Sequence, residues 1–385
     1  MEKYLEGGDL TEPLLGFKNL AAALLFLCQI VPDYDRLLPM RKIGFPVYSI
    51  VYGFIVTFLF ASSALGSWTR TGDMDTERAG INWGALLPDG RVFFAFLQHG
   101  GLYNPTTMTW STTSSTPSPV GGPAVLLQNG TVLVTGGQLT PIYSPLTDSW
   151  TPKGVFDRGD HTATLLQDGR VLVTGGRIAT QVVSSTRLFD LTTNAWTDGP
   201  DMNSPRALHT ATLLLDGTVL VTGGYTNSAE IFDPVTNTWT NTENRLAARF
   251  SHTATLLTDG RVLAVGGSGD RSCEVYDSQT SAWVSAADTS MSRENHFATL
   301  LPDGRVLVGG GGTASAPFAS SEIFNPSTGA GFWQSAGDMN VARAYSLAVL
   351  LNNGTVLAAG GTAGEDCNPL TCWVLYTRTA EIFTP

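Results

Sequence analysis

Four cysteines are spread over 385 residues, so no disulfide scaffold can hold this chain together and the fold must rest on a hydrophobic core. Charge is scarce too. Asp, Glu, Lys and Arg make up 14% of the residues, against roughly 25% in an average soluble domain. What charge there is leans acidic, with a formal net charge of -11. That balance excludes a nucleic-acid surface, which needs a basic footprint. No nucleophile elbow, phosphate-binding glycine loop or zinc-ligand spacing occurs either.

Glycine, in contrast, is plentiful at 42 residues, and Thr-, Ser-, Asn- and Pro-rich turns separate short apolar runs. This is the profile of an all-β protein. One phrase recurs almost verbatim: HTATLLQDGRVLVTGG (161–176), HTATLLLDGTVLVTGG (209–224) and HTATLLTDGRVLAVGG (252–267). Its turn dipeptide returns as Asp89-Gly90, Asn129-Gly130, Asp168-Gly169, Asp216-Gly217, Asp259-Gly260, Asp303-Gly304 and Asn353-Gly354. Each lies between two apolar runs, which predicts a hairpin of strands a and b around a two-residue type I′ turn. Gly pairs at 136–137, 175–176, 223–224, 266–267, 310–311 and 360–361 end strand b, while the first repeat has Phe96-Leu97 there.

A second phrase follows each hairpin, as in LFDLTTNAW (188–196), IFDPVTNTW (231–239) and VYDSQTSAW (275–283). Its aromatic ends strand c, a turn follows, and Trp starts strand d. Four antiparallel strands repeated seven times predict a seven-bladed β-propeller. The final EIFTP (381–385) is a strand c with no strand d after it, and SWTRTGDM (67–74) is a Trp-led strand before the first hairpin. The N-terminal strand is therefore expected to complete the last blade and close the ring.

The Gly-Gly after strand b, followed by an aromatic and a Trp seven apart, resembles the kelch repeat from Trp68 to Pro385. Within that family the HTATLLxDGRVLVTGG style looks most like the propeller of galactose oxidase. That resemblance implies a copper site of two Tyr and two His, one pair being a Tyr-His at the start of strand a in the last blade. Here ARAYSLAVLL (342–351) supplies Tyr345, but Ser346 stands in place of the His. The other His of that site comes from a domain after the propeller, and this sequence ends at Pro385. Copper oxidase chemistry, and any other cofactor, is accordingly not expected.

Before the repeats the composition changes. Met40-Arg41-Lys42 precedes the uncharged run IGFPVYSIVYGFIVTFLF (43–60) and the small residues ASSALGS (61–67). Residues 40–66 read as a secretory signal or a retained N-terminal membrane anchor, and residues 1–39 as an extension upstream of a start at Met40 or, alternatively, as part of a two-span membrane hairpin. Residues 67–385 are the propeller, expected outside the cytoplasm: secreted, periplasmic or at the cell surface, with the membrane touched only by the N-terminal segment.

His161, His209, His252 and His296 each sit seven residues before a turn Asp. One repeat position in four blades cannot gather its side chains around one ion, so no metal site is expected. A hydrogen bond from each imidazole to nearby backbone is expected instead. Arg158, Arg206, Arg249, Arg293 and Arg343 precede strand a, and Glu230, Glu274, Glu322 and Glu381 recur on strand c. Arg–carboxylate pairing is one reading. The other is a positive collar around the mouth, suited to anionic sugars or carboxylates. Arg158-Gly159-Asp160 also spells an adhesion tripeptide, but it falls in the ordinary repeat frame.

The a–b and c–d turns lie on one face and are monotonous, whereas the b–c and d–a loops on the other face vary, and binding residues belong there. The last b–c loop, TAGEDCNPLTCWVLYTR (362–378), is the longest. Cys367 and Cys372 are expected to form a local disulfide, and Trp373 and Tyr376 to stack on a sugar or to cover the seam. The reading is a binding propeller with no catalytic residue assigned, its ligand a glycan, a cell-envelope polymer or a protein partner. A carbohydrate-active enzyme and a structural envelope module are the alternatives.

Overall fold

A computed structural model describes residues 66–75, 83–137, 139–156, 158–313, 316–326, 329–367 and 372–385, without the side chains of 96–98, 366–367 and 372–373. The upstream extension and the signal or anchor segment, Gly66 excepted, lie outside the described residues.

Each copy of the phrase folds as a hairpin, but the turn differs from the expected one. In DGR the Gly has positive φ (Gly90, +85°) while the Asp does not. Gly90 N–H donates to Leu87 O at 2.9 Å and Leu87 N–H to Arg91 O at 2.8 Å. This is a three-residue loop, a type I turn closed by a left-handed Gly. Pro88 fits it because proline favours the first central position of such a turn. The Asp carboxylate accepts the N–H two residues on and pairs with that Arg, at 2.7 Å in Arg91–Asp89 and 2.6 Å in Arg170–Asp168.

Strands a to d assemble into antiparallel sheets such as His209–Leu213, Val219–Gly223, Ala229–Asp233 and Thr238–Asn241. Phe232 at the end of c stands in register with Trp239 at the start of d, ring centroids 5.1 Å apart. The Trp239 indole N–H then crosses to Pro200 O of the preceding blade at 2.9 Å. The first repeat departs from this plan. Lacking the Gly pair, it carries its b and c positions within one stretch, Val92–Asn104.

Strand a of each blade neighbours strand a of the next: Gly84–Leu86, Ala124–Leu126, Thr162–Leu165, His209–Leu213, Thr253–Leu256, Phe297–Leu300 and Leu347–Leu350. The last of these returns to the first. Ser67–Arg70 pairs with Ala380–Thr384 as the outer strand of the final sheet. The core lies between blades. Leu166, Leu172, Leu188 and Met202 of blade 3 pack on Val219, Val221 and Phe232 of blade 4. No sheet can bury both faces alone, so each blade depends on its neighbours. The result is an all-β propeller.

Candidate binding face

The repeated Gly pair explains how the blades lock together. A Cβ on Gly223 would lie 2.5 Å from Cε1 of His252 in the next blade, and one on Gly224 would lie 2.8 Å from Ala207 O. Gly224 N–H donates to Arg249 O of the next blade at 2.8 Å. Only glycine permits that approach with φ near +80° at both positions.

Through Nε2 the histidines bond outward from their own blade, and the expected interaction with nearby backbone is found at His161 alone, with Arg158. His161 Nε2 meets Thr135 Oγ1 at 2.9 Å, His209 meets Thr174 at 2.9 Å, His252 meets Thr210 at 3.1 Å and His296 meets Thr253 at 2.9 Å. Every partner is a threonine hydroxyl of the preceding blade, so the four act as latches around the ring. Burial pushes His161, His209 and His296 down to about 3, and His252 well below its ordinary value. The rings are neutral at physiological pH.

The arginine collar must be corrected. Arg206, Arg293 and Arg343 are fully buried, and Arg158 and Arg249 nearly so. Arg206 donates to Gly223 O at 2.9 Å and Ser228 O at 2.8 Å, and pairs with Glu230 at 2.7 Å. The same arrangement recurs in Arg249–Glu274, Arg293–Glu322 and Arg343–Glu381. Arg158 donates to Gly175 O and Ser185 O. These guanidinium groups are spent on protein acceptors and form no open collar, and of the five Arg158 alone lines a described cavity, one it shares with Pro117 and Leu139. For the same reason the RGD tripeptide does not display its arginine.

The face where strand a begins does carry a cavity, of about 670 Å³, on the ring of inner strands. Asp160, Leu208, Ser251, Asn295 and Tyr345 line it, each one residue before the His position of its blade. All five adopt the left-handed conformation, with φ between 52° and 56°. That region is uncommon for any side chain and worst for bulky ones such as Leu and Tyr. A line of hydrogen bonds holds them: Tyr345 N–H to Asn295 O (2.9 Å), Asn295 to Ser251 (3.0 Å), Ser251 to Leu208 (3.1 Å) and Leu208 to Asp160 (3.0 Å). The backbone is thus fixed while the side chains are free to differ.

Beside the cavity the b–c loops add a polar and aromatic cluster. Arg177 Nε donates to Asp160 Oδ2 at 3.0 Å and Nη2 to the Tyr225 hydroxyl at 3.0 Å. Its Cζ stands 5.5 Å over the Tyr225 ring. Tyr225, half exposed and itself left-handed at φ +71°, stacks on Phe250 with centroids 4.6 Å apart. Desolvation and the nearby Glu294 charge raise the Tyr345 hydroxyl above its ordinary value, so it stays protonated. A second cavity of about 670 Å³, lined by Pro117, Leu139 and Val155 among others, shares Gly121 with the first.

Of the expected residues, Tyr345 and Tyr376 come near one another. Tyr376 stands opposite Thr362 at the base of the last-blade hairpin, and Thr362 bridges Ala344 beside Tyr345. The register also sets Cys367 opposite Cys372. The side chains of both cysteines and of Trp373 lie outside the described residues. Asp160, Arg177, Leu208, Tyr225, Phe250, Ser251 and Asn295 were missed. The signal for the ring residues was present, since the position before each His (Asp160, Leu208, Ser251, Asn295) changes from blade to blade while the strand that follows it stays nearly constant.

The Kelch motif family model matches residues 160–203 and 206–244. None of the curated proteins compared with the chain matches it. A solved structure of a fungal alcohol oxidase of the AA5 family, in complex with copper, is similar at a TM-score of 0.70 and 18% identity. The match covers 83% of this chain and 76% of that one. At that identity the likeness establishes the fold.

Proposed function

We propose that this propeller, which carries kelch motifs, binds a sugar-containing ligand, a glycan or cell-envelope polymer, at the mouth of its central cavity and does not transform it. One observation carries the reading. Five blades place five chemically different side chains, Asp160, Leu208, Ser251, Asn295 and Tyr345, at a single repeat position on the cavity. The strand-a residues that follow that position scarcely vary in four of the five blades, HTATLL in three and HFATLL in the fourth. Scaffolding accounts for the constant positions; a fixed backbone presenting diverse side chains into a concavity suits recognition. Next to it, the half-exposed Tyr225, stacked on Phe250, offers apolar surface for the C–H face of a sugar, and Arg177 and Asp160, now bonded to each other, could turn to its hydroxyls. The apolar segment 43–60 agrees with export toward such polymers.

Copper, as in the similar oxidase, does not fit the donors here. Tyr345 lines the cavity, but its neighbour is the buried Ser346 hydroxyl, and the His252 and His296 Nε2 atoms are engaged by threonines. No group of three His, Cys, Asp or Glu gathers among the described residues. No step is therefore derived through that metal.

The test is a glycan array followed by calorimetry on the full chain, with Tyr225→Ala and Arg177→Ala beside it. Selective binding that both variants lose, at unchanged Tm, supports the site. Binding that survives both changes removes it. A chemically altered sugar recovered from the incubation replaces the binding reading with the enzymatic one.

A further inference from the structure

We infer that the interface between blades 4 and 5 encloses a site for a small monovalent anion, of halide size, held by the Arg245 guanidinium beside the Trp283 indole N–H. The site is separate from the mouth and independent of what binds there.

The argument begins with a repeat position. Four residues before the buried arginines Arg206, Arg249, Arg293 and Arg343 stand Met202, Arg245, Thr289 and Met339. All four are buried, and Arg245 is only 2% exposed. The Met202 and Met339 methyl groups pack against the first glycine of a Gly pair, and Arg245 Nη2 takes the corresponding place against Gly223. A cation thus occupies a slot that thioethers fill in two other blades.

Nothing nearby balances it. Arg245 Nη2 reaches Thr226 O at 3.4 Å, while Nε and Nη1 have no acceptor. The closest carboxylate, Glu274, is already committed. Its Oε1 accepts Arg249 Nε and Nη2 at 3.1 and 2.8 Å, and its Oε2 accepts Leu246 N–H at 2.8 Å. Arg206 pairs with Glu230, and Arg249 with Glu274 and, at 3.7 Å, with the more exposed Asp270, whereas Arg245 makes no ion pair among the described residues. Burial, offset in part by Glu274 and reinforced by Arg249 and Arg206, pushes its guanidinium down to about 9, so it remains charged at neutral pH. His252 is neutral there and supplies no counter-charge. A desolvated charge with no partner is strongly unfavourable, and an anion removes that penalty.

A second irregularity falls at the same interface. The indole N–H of Trp239 donates to Pro200 O and that of Trp333 to Ala287 O, each carbonyl lying six residues before the arginine of its own blade. For Trp283 the equivalent carbonyl belongs to Glu243, and Thr242 Oγ1 takes it at 2.9 Å. Trp283 Nε1, 7% exposed as a residue, is left without an acceptor. Arg245 Cζ lies 5.8 Å from that ring. Thr222 Oγ1, fully buried next to Gly223, also lacks a partner. Guanidinium and indole are donor-only groups, and with a hydroxyl able to donate they select an anion over a cation. One guanidinium without an ion pair favours a monovalent anion, chloride or bromide, over a divalent oxyanion.

The test uses the full chain with chloride and bromide as probes. Crystals grown in bromide should give an anomalous peak within hydrogen-bond reach of Arg245 Nη1. At constant ionic strength, with gluconate replacing chloride, the native Tm should rise with the logarithm of chloride concentration, as for a ligand that binds only the folded state. Arg245→Met, which restores the side chain of the sister slots, should fold and lose that dependence, whereas Arg245→Lys should keep part of it. No bromide peak at Arg245, a peak there without anomalous signal (water alone), or an equal chloride dependence in Arg245→Met overturns the proposal. If Arg245→Met does not fold, the bromide peak decides.

Discussion

Arg206 and Glu230 meet at 2.7 Å in the wall of blade 4, and neither side chain touches solvent. The pair ties three places together, since Arg206 also reaches the carbonyl of Gly223 and the start of strand c at Ser228. Glu230 in turn accepts the Ser204 N–H of the lead-in to strand a at 3.1 Å. Removing one partner leaves the other charge buried, so Arg206→Ala should cost about 3–5 kcal/mol. Arg206→Met/Glu230→Leu, which removes both charges, should cost less. Urea unfolding measures both. Equal losses for the two variants would show that packing, not the stranded carboxylate, sets the cost.

The histidine latches make stability depend on pH. Burial holds His161, His209 and His296 near 3 in the folded state, against about 6.5 when unfolded. Between those values the unfolded chain takes up protons that the folded chain refuses. Stability is therefore complete above about pH 6.5 and declines as the pH falls toward 3, by about 1.4 kcal/mol per pH unit for each such histidine. His209→Gln, able to bond Thr174 without titrating, should flatten the slope of unfolding free energy between pH 6 and 4.5 by about one proton. An unchanged slope would mean that His209 does not stay neutral in the fold.

The repeats and their strands were legible because periodicity reports backbone. Asp-Gly turns, Gly pairs and aromatic–Trp spacing each answer a local demand of chain geometry. The turn type was misjudged because Asp-Gly satisfies both a two-residue and a three-residue loop, and the register of the two flanking strands decides. What the arginines do was not legible. Whether a repeated Arg faces a channel or a strand end depends on side-chain direction, which position in the repeat does not specify. Arg177 and Tyr225 were invisible for another reason: they lie on different b–c loops, and only the ring brings them within 3.0 Å.

Closure of the last sheet rests on a short strand. Trp68 stands in register with Phe383, packs on it at 5.1 Å and on Phe297 at 6.1 Å, and donates to Ser321 Oγ at 2.9 Å. It joins strand d of the last blade to the blade before. Trp68→Ala should cost about 2–3 kcal/mol, below the 3–5 typical of a fully buried tryptophan. It should also expose the edge of Ala380–Thr384, so protease nicking should begin near the C terminus. Nicking elsewhere first would place the weakest seam at another blade interface.

The cysteines separate two redox states by simple counting. Cys367 and Cys372 face each other across one antiparallel pair, and directly opposed positions lie at a Cα spacing that a disulfide can span. Cys273 is buried, its thiol pushed up to about 12 chiefly by desolvation, so at pH 8 it holds almost no thiolate and reacts slowly in the native protein. With Cys28 the chain has four thiols in all. The full 385-residue chain purified without reductant and titrated in denaturant should therefore show two, Cys28 and Cys273, and four after reduction, while a chain that starts at Met40 should show one and three. Four before reduction would remove the disulfide, leaving the long last-blade loop held only by its hairpin. In that case Cys367→Ser should leave Tm unchanged, whereas a bonded loop should lose stability on the same substitution.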